Sequence, residues 1–287
     1  MSDQFAGAPC EQPAGQDAFV QRWALGIEYD GSAFHGYQVQ ANRPATVQQV
    51  LETALSEVAG HPVRVFCAGR TDAGVHATNQ VLHFDAFAVR SPRAWVQGIN
   101  SLAPAAVTVR WAVPVEQEFH ARFRACARRY LYVLAESPTR LALGRGHVSV
   151  VRTAVDVAAM DAAAQVLVGQ HDFSAFRAAG CQASTAVRNL SLLRVRRSAG
   201  LVLVDVVANA FLQHMVRNLV GSLLLIGNGR KAPAWLRGVL DSRDRRLAGP
   251  TAPAAGLYLT EVQYVRDYGF DSRHRLPWFI APDIATP

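Results

Sequence analysis

The chain has 287 residues, and its 50% apolar content is enough for a substantial core in one large domain or two small ones. The formal net charge of +7 favours an anionic partner, and Lys231 is the only lysine. This arginine-rich composition fits RNA binding and the codon bias of a GC-rich genome equally well.

The first half of the chain shows the pattern β-α-β-β-α-β. Its predicted elements are a strand over 23–29, a helix from Thr46 to Gly60, strands over 62–67 and 80–87, a helix from Ser91 to Leu102 and a strand over 107–112. Thr46 and Gln49 have the spacing of a capping box, and Ser91 followed by proline is typical of a helix start.

The second half repeats this order of elements without a repeat of residues. The predicted elements are a strand over 126–135, a helix from Asp156 to Val168, strands over 187–197 and 201–208, helices from Phe211 and from Pro233, and a strand over 257–265. Asp156 is a suitable N-cap, and the short turn Ser198–Gly200 predicts a hairpin.

The element order predicts an α+β fold with two ferredoxin-like halves, whose open sheets lie side by side with a cleft between them. We expect a disordered N-terminal tail over 1–21, one half over 22–118 that carries the glycine-containing loop described next, a second half over 119–270, and a C-terminal tail over 271–287.

The most informative segment is the loop 67–77, with the sequence CAGRTDAGVHA, between two predicted strands. Gly69 and Gly74 permit unusual backbone conformations and the close approach of a ligand. Asp72 is the best candidate for a catalytic carboxylate, and Arg70 is its expected partner because residues two apart in an extended chain point the same way. From these residues alone, an active-site loop and a tight turn with a surface ion pair are equally open.

Two further features suggest where the second wall of a cleft lies. Arg217 projects sideways from an otherwise apolar helix, so it either pairs with a carboxylate of the other half or extends into solvent. The segment 119–132 alternates aromatic residues with arginines, a combination that contacts phosphates and stacks on bases. Tyr130 and Tyr132 share one side of its strand, although burial in the core is the commoner fate of a single tyrosine.

Several classes of site and location are disfavoured. The cysteines have no CxxC spacing, which argues against a zinc site or a disulfide framework and suggests a reducing cytoplasm; they are Cys10, Cys67, Cys126 and Cys181. The histidines lack HExxH or HxH spacing, so no metal is expected, and no P-loop or serine-hydrolase motif occurs. Residues 1–17 lack the features of a signal peptide, and polar residues interrupt the apolar stretch 211–227, so we expect no membrane span.

The loop 68–77, AGRTDAGVHA, resembles the catalytic motif of the TruA family of tRNA pseudouridine synthases. Other segments resemble family motifs in family order, namely IEYDGS (27–32), GYQ (36–38), TVQ (46–48), FHAR (119–122), RY (129–130), DF (172–173), FR (176–177), MVRN (215–218) and GLYL (256–259). The resemblance covers roughly residues 23–268. It departs at Tyr37, where tryptophan is usual, and at Val39, where a basic residue is common.

The resemblance implies the pseudouridine synthase fold and a homodimer that converts uridine to pseudouridine at positions 38, 39 and 40 of the tRNA anticodon stem-loop, without a cofactor. It implies that Asp72 is catalytic, as a nucleophile or as a base, and that Arg217 pairs with it. Arg70 would occupy space near the flipped nucleotide and Tyr130 would stack on the target uracil. Leu257 and Leu259 would wall the pocket.

Two other functions were weighed against this one. An RNA-binding module without catalysis accounts for the fold and the charge, but it leaves Asp72 without a purpose and lacks an RNP-type aromatic strand. An acid/base hydrolase would use Asp72 with His76 or His120, but the absence of metal-ligand spacing counts against hydrolytic nucleases.

Overall fold

The structure is a computed structural model that describes residues 20–40 and 45–280. Most of the predicted N-terminal tail, residues 1–19, and the end of the predicted C-terminal tail, residues 281–287, lie outside the described residues. Gln21, assigned to the tail, already belongs to the first strand. Residues 271–280 pack against the protein: the Arg275 amide donates to the Thr260 carbonyl, and Ile280 is 2% exposed.

The described residues form one large, mostly antiparallel sheet with helices, which is a mixed α+β architecture. Its strands are β1 (Gln21–Tyr29), β2 (Phe66–Cys67), β3 (His76–Ala86), β4 (Val107–Val115), β5 (Ala125–Glu136), β6 (Ser149–Val151), β7 (Gly169–Asp172), β8 (Val187–Ser198), β9 (Leu201–Ala208) and β10 (Leu257–Tyr264). The order across the sheet is β4-β1-β3-β10-β5-β9-β8-β7, with β2 paired to β3 and β6 paired to β5.

Within residues 20–40 and 45–280, five α-helices bury their apolar faces in the main core. They are α1 (Val47–Ala59), α2 (Pro92–Leu102), α3 (Val157–Ala164), α4 (Met215–Gly227) and α5 (Trp235–Ser242). On the opposite face of the sheet, Leu131, Val133, Leu203 and Tyr258 form a smaller cluster that Ile280 covers. No helix in the described part of the chain has both the length and the apolar character needed to cross a bilayer.

The predicted helix starts α1, α2 and α3 are confirmed by their caps. Side-chain oxygens of Thr46, Ser91 and Asp156 each accept a hydrogen bond from the backbone amide three residues later. Gly60 ends α1 in a left-handed conformation (φ 74°). The Gln49 side chain departs from a capping box, because its oxygen accepts from the amide of Ala45 instead of Thr46.

The predicted strand 62–67 is wrong over most of its length, since only Phe66 and Cys67 pair with β3. The reason lies in α1: Ser56 Oγ accepts from the Val63 amide and Glu52 Oε1 accepts from the Val65 amide. These helix side chains satisfy donors that a neighbouring strand would otherwise satisfy. The short strands β6 and β7 were not predicted.

Helix α4 begins at Met215 and not at the predicted Phe211, because the preceding His214 has a left-handed backbone (φ 61°) that an α-helix does not contain. Helix α3 ends at Ala164, and the rest of the predicted helix is a 3₁₀ turn over 165–167. The hairpin between β8 and β9 is present as predicted, and Ala199 and Gly200 both have positive φ.

The two sheets expected side by side are one continuous sheet. Its junction is a short parallel pairing in which His76 lies opposite Tyr258 and Ala77 opposite Leu259. Because β2 covers only Leu82 and the next residue of β3, the beginning of β3 is available to β10. The junction places the loop before β3 directly beside β10 and β5, while the division into ferredoxin-like halves stays a prediction.

Candidate active site

The loop 68–75, which precedes β3, is held in place by polar side chains of its neighbours. The Gln80 amide group brackets Gly69, because its Nε2 donates to the Gly69 carbonyl at 2.6 Å and its Oε1 accepts from the Gly69 amide at 3.2 Å. A 2.8 Å hydrogen bond joins the hydroxyls of Tyr29 and Thr71, and the Tyr37 amide donates to the Thr71 carbonyl. Asp72 therefore projects from a well-supported backbone.

The Asp72 carboxylate faces two basic side chains from the start of α4. Arg217 Nη1 donates to Asp72 Oδ2 at 3.2 Å, and His214 Nε2 lies 3.5 Å from the same oxygen. The Asp72 side chain is 26% exposed and that of Arg217 is 16% exposed, so the pair is partly open to solvent and does not lie in the core. A carboxylate in this position is open to a ligand from one side and held by a guanidinium on the other.

The interpretation of Arg70 as the ion-pair partner of Asp72 is wrong, because the guanidinium beside the carboxylate is that of Arg217. The chain turns immediately after Asp72: Gly74 has a left-handed backbone (φ 77°), and the Val75 amide donates to the Asp72 carbonyl. Arg70 is exposed, and its side chain forms no hydrogen bond or ion pair with another described residue.

Arg217 is itself fixed by the segment that precedes β10. Its Nε donates to the Ala252 carbonyl at 2.8 Å, and the Ala252 amide donates back to the Arg217 carbonyl at 3.0 Å. This segment lies very close to α4: a Cβ added to Gly221 would be 1.7 Å from the Pro250 carbonyl oxygen. The absence of a side chain at Gly221 therefore allows the contact that holds Arg217.

Behind Arg217, the fully buried Asn218 ties together three segments. Its Nδ2 donates to the Phe176 carbonyl, and its Oδ1 accepts from Arg245 Nη2 and from Thr251 Oγ1. These bonds fix the start of α4 as well as the segment 249–252, so the guanidinium position is determined by the fold.

Tyr130, Leu257 and Leu259 lie on the same face of the sheet as the main core. In the register of β10 and β5, Leu259 lies opposite Tyr130. A Cβ at Gly69 would be 3.5 Å from the Tyr130 hydroxyl and 3.8 Å from Leu259 Cδ2, so both side chains border the loop. Leu257 is buried two residues before Leu259 and points to the same face.

Burial raises the pKa of the Tyr130 hydroxyl, and the negative charge of Asp72 adds to this effect. Tyr130 is 6% exposed, and Phe211 packs edge-on against its ring with 5.0 Å between ring centroids. The phenol is therefore neutral.

Sequence reasoning missed His214 and the buttressing role of Asn218. His214 and Arg217 are three residues apart, a spacing that places two side chains on one face of a helix, and this was the available signal. The other two histidines considered for acid/base chemistry lie elsewhere: His76 Nδ1 faces Asp30, and His120 packs among aromatic rings.

One group of side chains has the composition of a metal site. The ligand atoms of Asp30, His76 and His147 lie within 4.8 Å of one another. Both ring nitrogens of His76 are already engaged, because Nδ1 accepts from the Gly31 amide and Nε2–H donates to the Gly146 carbonyl. Burial lowers the pKa of His76, which keeps the ring neutral in this hydrogen-bonded cluster.

Comparison with known proteins identifies the family to which most of the chain is similar. A family model described as tRNA pseudouridine synthase matches residues 26–124 and 163–265. The matched segments contain Arg70, Asp72, Arg217, Leu257 and Leu259, while Tyr130 falls between the two segments.

Curated relatives match over most of their length. The protein named tRNA pseudouridine synthase A from Alcanivorax borkumensis is 51% identical over 245 residues, which are 85% of this chain and 92% of the relative. Proteins of the same name from Aromatoleum aromaticum and Aeromonas hydrophila are 52% and 50% identical, and cover 89% and 92% of this chain and 96% and 97% of their own length.

Proposed function

Because the chain belongs to the tRNA pseudouridine synthase family, whose members are isomerases, we propose that it converts uridine to pseudouridine in the anticodon stem-loop of tRNA, at positions 38, 39 and 40. The observation that carries the proposal is the partly exposed Asp72 carboxylate, held on a supported loop by Arg217. A binding module has no need of a carboxylate positioned in this way, because phosphate groups would be repelled by it.

The reaction needs only one well-placed carboxylate. It breaks the bond between ribose C1′ and uracil N1, rotates the uracil and joins C1′ to C5; C5 releases its proton and N1 takes one up, so that no electrons, phosphate or water are consumed. Asp72 acts as a nucleophile at the ribose or the uracil, or as a base that removes a ribose proton. Arg217 keeps the carboxylate oriented towards the open side of the cleft.

The target nucleotide has to leave the helical stack before C1′ becomes accessible, which costs a few kcal/mol. Arg70 is suited to occupy the space that the nucleotide leaves, since it is exposed on the catalytic loop and is not committed to an ion pair with Asp72. Tyr130 supplies the ring on which the flipped uracil stacks, and Leu257 and Leu259 form the apolar wall of the pocket.

We further propose a cytoplasmic homodimer and a chain organised as two ferredoxin-like halves over 22–118 and 119–270. The strand order supports these halves, because β4-β1-β3 and β10-β5-β9-β8 each place the first strand of a half between its last and its third strand. No metal or cofactor is needed for the reaction as proposed.

The test is release of tritium from C5-labelled uridine in a tRNA transcript. We expect release by the wild-type chain, its loss in Asp72→Asn with tRNA binding retained, and wild-type release in Asp241→Asn, a matched control whose carboxylate is 58% exposed in a surface ion pair. Binding of tRNA without release by the wild-type chain would support the binding-module alternative. Sequencing the product for pseudouridine tests the positions, and modification only outside 38–40 would contradict the site.

A further inference from the structure

We propose that Phe66, His120 and Phe123 form a stacking platform for one unpaired base of the RNA substrate, next to the catalytic loop. The inference rests on the proposed function, because it takes the bound molecule to be RNA. It assigns a use to the aromatic and basic segment 119–132, most of which the catalytic site does not employ.

The fold divides this segment into committed and uncommitted side chains. Phe119 is fully buried, and Arg129 forms a 2.5 Å ion pair with a carboxylate of β9. Arg128 is buried, and its guanidinium donates to backbone carbonyls. Phe123, by contrast, is 75% exposed in the connection between β4 and β5. A large exposed aromatic side chain in a loop is a common feature of a binding surface.

The three rings form a continuous surface. The centroids of Phe123 and His120 are 4.2 Å apart, and those of His120 and Phe66 are 5.8 Å apart. His83 supports them from below: it is 2% exposed, stacks on Phe66 at 5.0 Å and accepts a hydrogen bond from a backbone amide of the same connection. The platform is therefore preformed, so little ordering is required when a base binds.

Two arginines lie over the outer rings of the platform. The guanidinium carbon of Arg64 lies over the Phe66 ring, 5.6 Å from its centroid, and that of Arg122 lies over the Phe123 ring, 5.8 Å from its centroid. Burial, followed by the positive charge of Arg22, lowers the pKa of His120, so the middle ring is neutral. Neutral rings flanked by arginines suit a base with its two phosphates, the combination by which proteins bind unpaired nucleotides.

The platform and the catalytic loop are held by the same buried cation. Arg128 Nη2 donates to the Ala68 carbonyl at 3.0 Å, at the start of the catalytic loop, and to the Arg122 carbonyl at 2.6 Å, next to Phe123. One guanidinium therefore ties the backbone next to Phe123 to the start of the catalytic loop, which places the platform beside that loop. Only unpaired bases can stack there, which points to a nucleotide of the anticodon loop.

The test is a thermodynamic cycle between Phe123 and single bases. The dissociation constant of a full-length tRNA transcript is measured for the wild-type chain, Phe123→Ala, Phe123→Trp and the control Val89→Ala, whose side chain is 88% exposed on a different loop. Stacking on one base predicts at least an approximately fivefold loss of affinity in Phe123→Ala, none in Val89→Ala, and recovery in Phe123→Trp. Thermal unfolding checks that each variant folds.

The cycle is completed with seven transcripts, each abasic at one position of the anticodon loop. We expect one of them to bind the wild-type chain and Phe123→Ala equally, because the base that Phe123 contacts is already missing. An equal penalty on all seven transcripts, an affinity of Phe123→Ala within twofold of Val89→Ala, or a changed oligomeric state with unchanged RNA affinity would overturn the platform. Failure of the proposed function has a different signature, namely no tritium release by the wild-type chain.

Discussion

Replacing Arg217 by lysine keeps one positive charge but removes the planar fork that holds two acceptors in a fixed geometry. The guanidinium of Arg217 donates to the Ala252 carbonyl at 2.8 Å and to Asp72 Oδ2 at 3.2 Å. A lysine ammonium is a point charge on a flexible chain, and it does not reproduce both bonds with the same directions. We therefore expect Arg217→Lys to release Asp72 from its position without removing its charge partner.

The exposure of the two side chains sets the size of the effect on stability. Exposed ion pairs contribute about 0.2–1 kcal/mol and buried hydrogen bonds to charged groups about 1.5–3 kcal/mol. Because the side chains of Arg217 and Asp72 are 16% and 26% exposed, we place the loss of unfolding free energy at about 1 kcal/mol. The catalytic effect is larger, since a displacement of about 1 Å at a reacting group costs roughly 100-fold in rate.

The assay combines urea unfolding with single-turnover tritium release. We expect Arg217→Lys to lower kcat about 100-fold while tRNA affinity changes little, and the exposed pair variant Arg237→Lys to leave both quantities unchanged. A double-mutant cycle between Asp72→Asn and Arg217→Lys, measured in the free energy of urea unfolding, gives the coupling energy between the two side chains. A coupling below about 0.3 kcal/mol together with a rate within threefold of wild type would refute the view that Arg217 positions Asp72.

Three further expectations test the fold around the site. Gly221→Ala should lower the free energy of urea unfolding by more than about 2 kcal/mol and reduce tritium release, because its Cβ would lie 1.7 Å from the Pro250 oxygen. The control Gly238→Ala, at a helix position with open space around it, should be neutral or stabilising. Equal effects of the two substitutions would contradict the close contact at Gly221. The free energy of urea unfolding should be about 1 kcal/mol lower for His214→Val than for His214→Asn, because a branched side chain tolerates φ 61° poorly. Equal unfolding midpoints would contradict this expectation. Burial lowers the pKa of His83 to about 4, so between about pH 6.5 and pH 4 the unfolded chain binds more protons than the folded chain, and wild-type stability decreases as the pH is lowered. His83→Gln should reduce the stability lost between pH 7.5 and pH 4.5 by about 2 kcal/mol, and an unchanged loss would refute the shift.

The helix boundaries that could be predicted are those set by short-range chemistry. Thr46, Ser91 and Asp156 cap their helices with the amide three residues ahead, and Gly60 ends its helix by its own conformational freedom. Each of these interactions closes within four residues, so the local sequence contains both partners. The same locality explains the correct prediction of the hairpin between β8 and β9.

The features that could not be predicted depend on partners far apart in the sequence. The residues 62–65 alternate as a strand should, yet the amides of Val63 and Val65 donate to Ser56 and Glu52 on α1, which no periodicity reveals. The parallel pairing of His76 with Tyr258 joins two halves that look independent in the sequence. Such contacts are decided by which strand edge is left open after local structure has formed.

The candidate site shows how these two kinds of information combine. Gly69, Asp72 and Gly74 marked the loop from local chemistry alone, but the assignment of a cation to Asp72 from local spacing selected Arg70, because only neighbours in the sequence could be considered. In the fold, Arg217 reaches the carboxylate across 145 residues of sequence, since the β3–β10 junction brings the loop to the start of α4. Two arginines therefore have separate roles in the proposed reaction: Arg217 is fixed beside Asp72 by the backbone of Ala252, and Arg70 is exposed on the catalytic loop. A carboxylate without its own cation would draw the nearest arginine into an ion pair. Because Arg217 already pairs with Asp72, Arg70 stays available to the RNA.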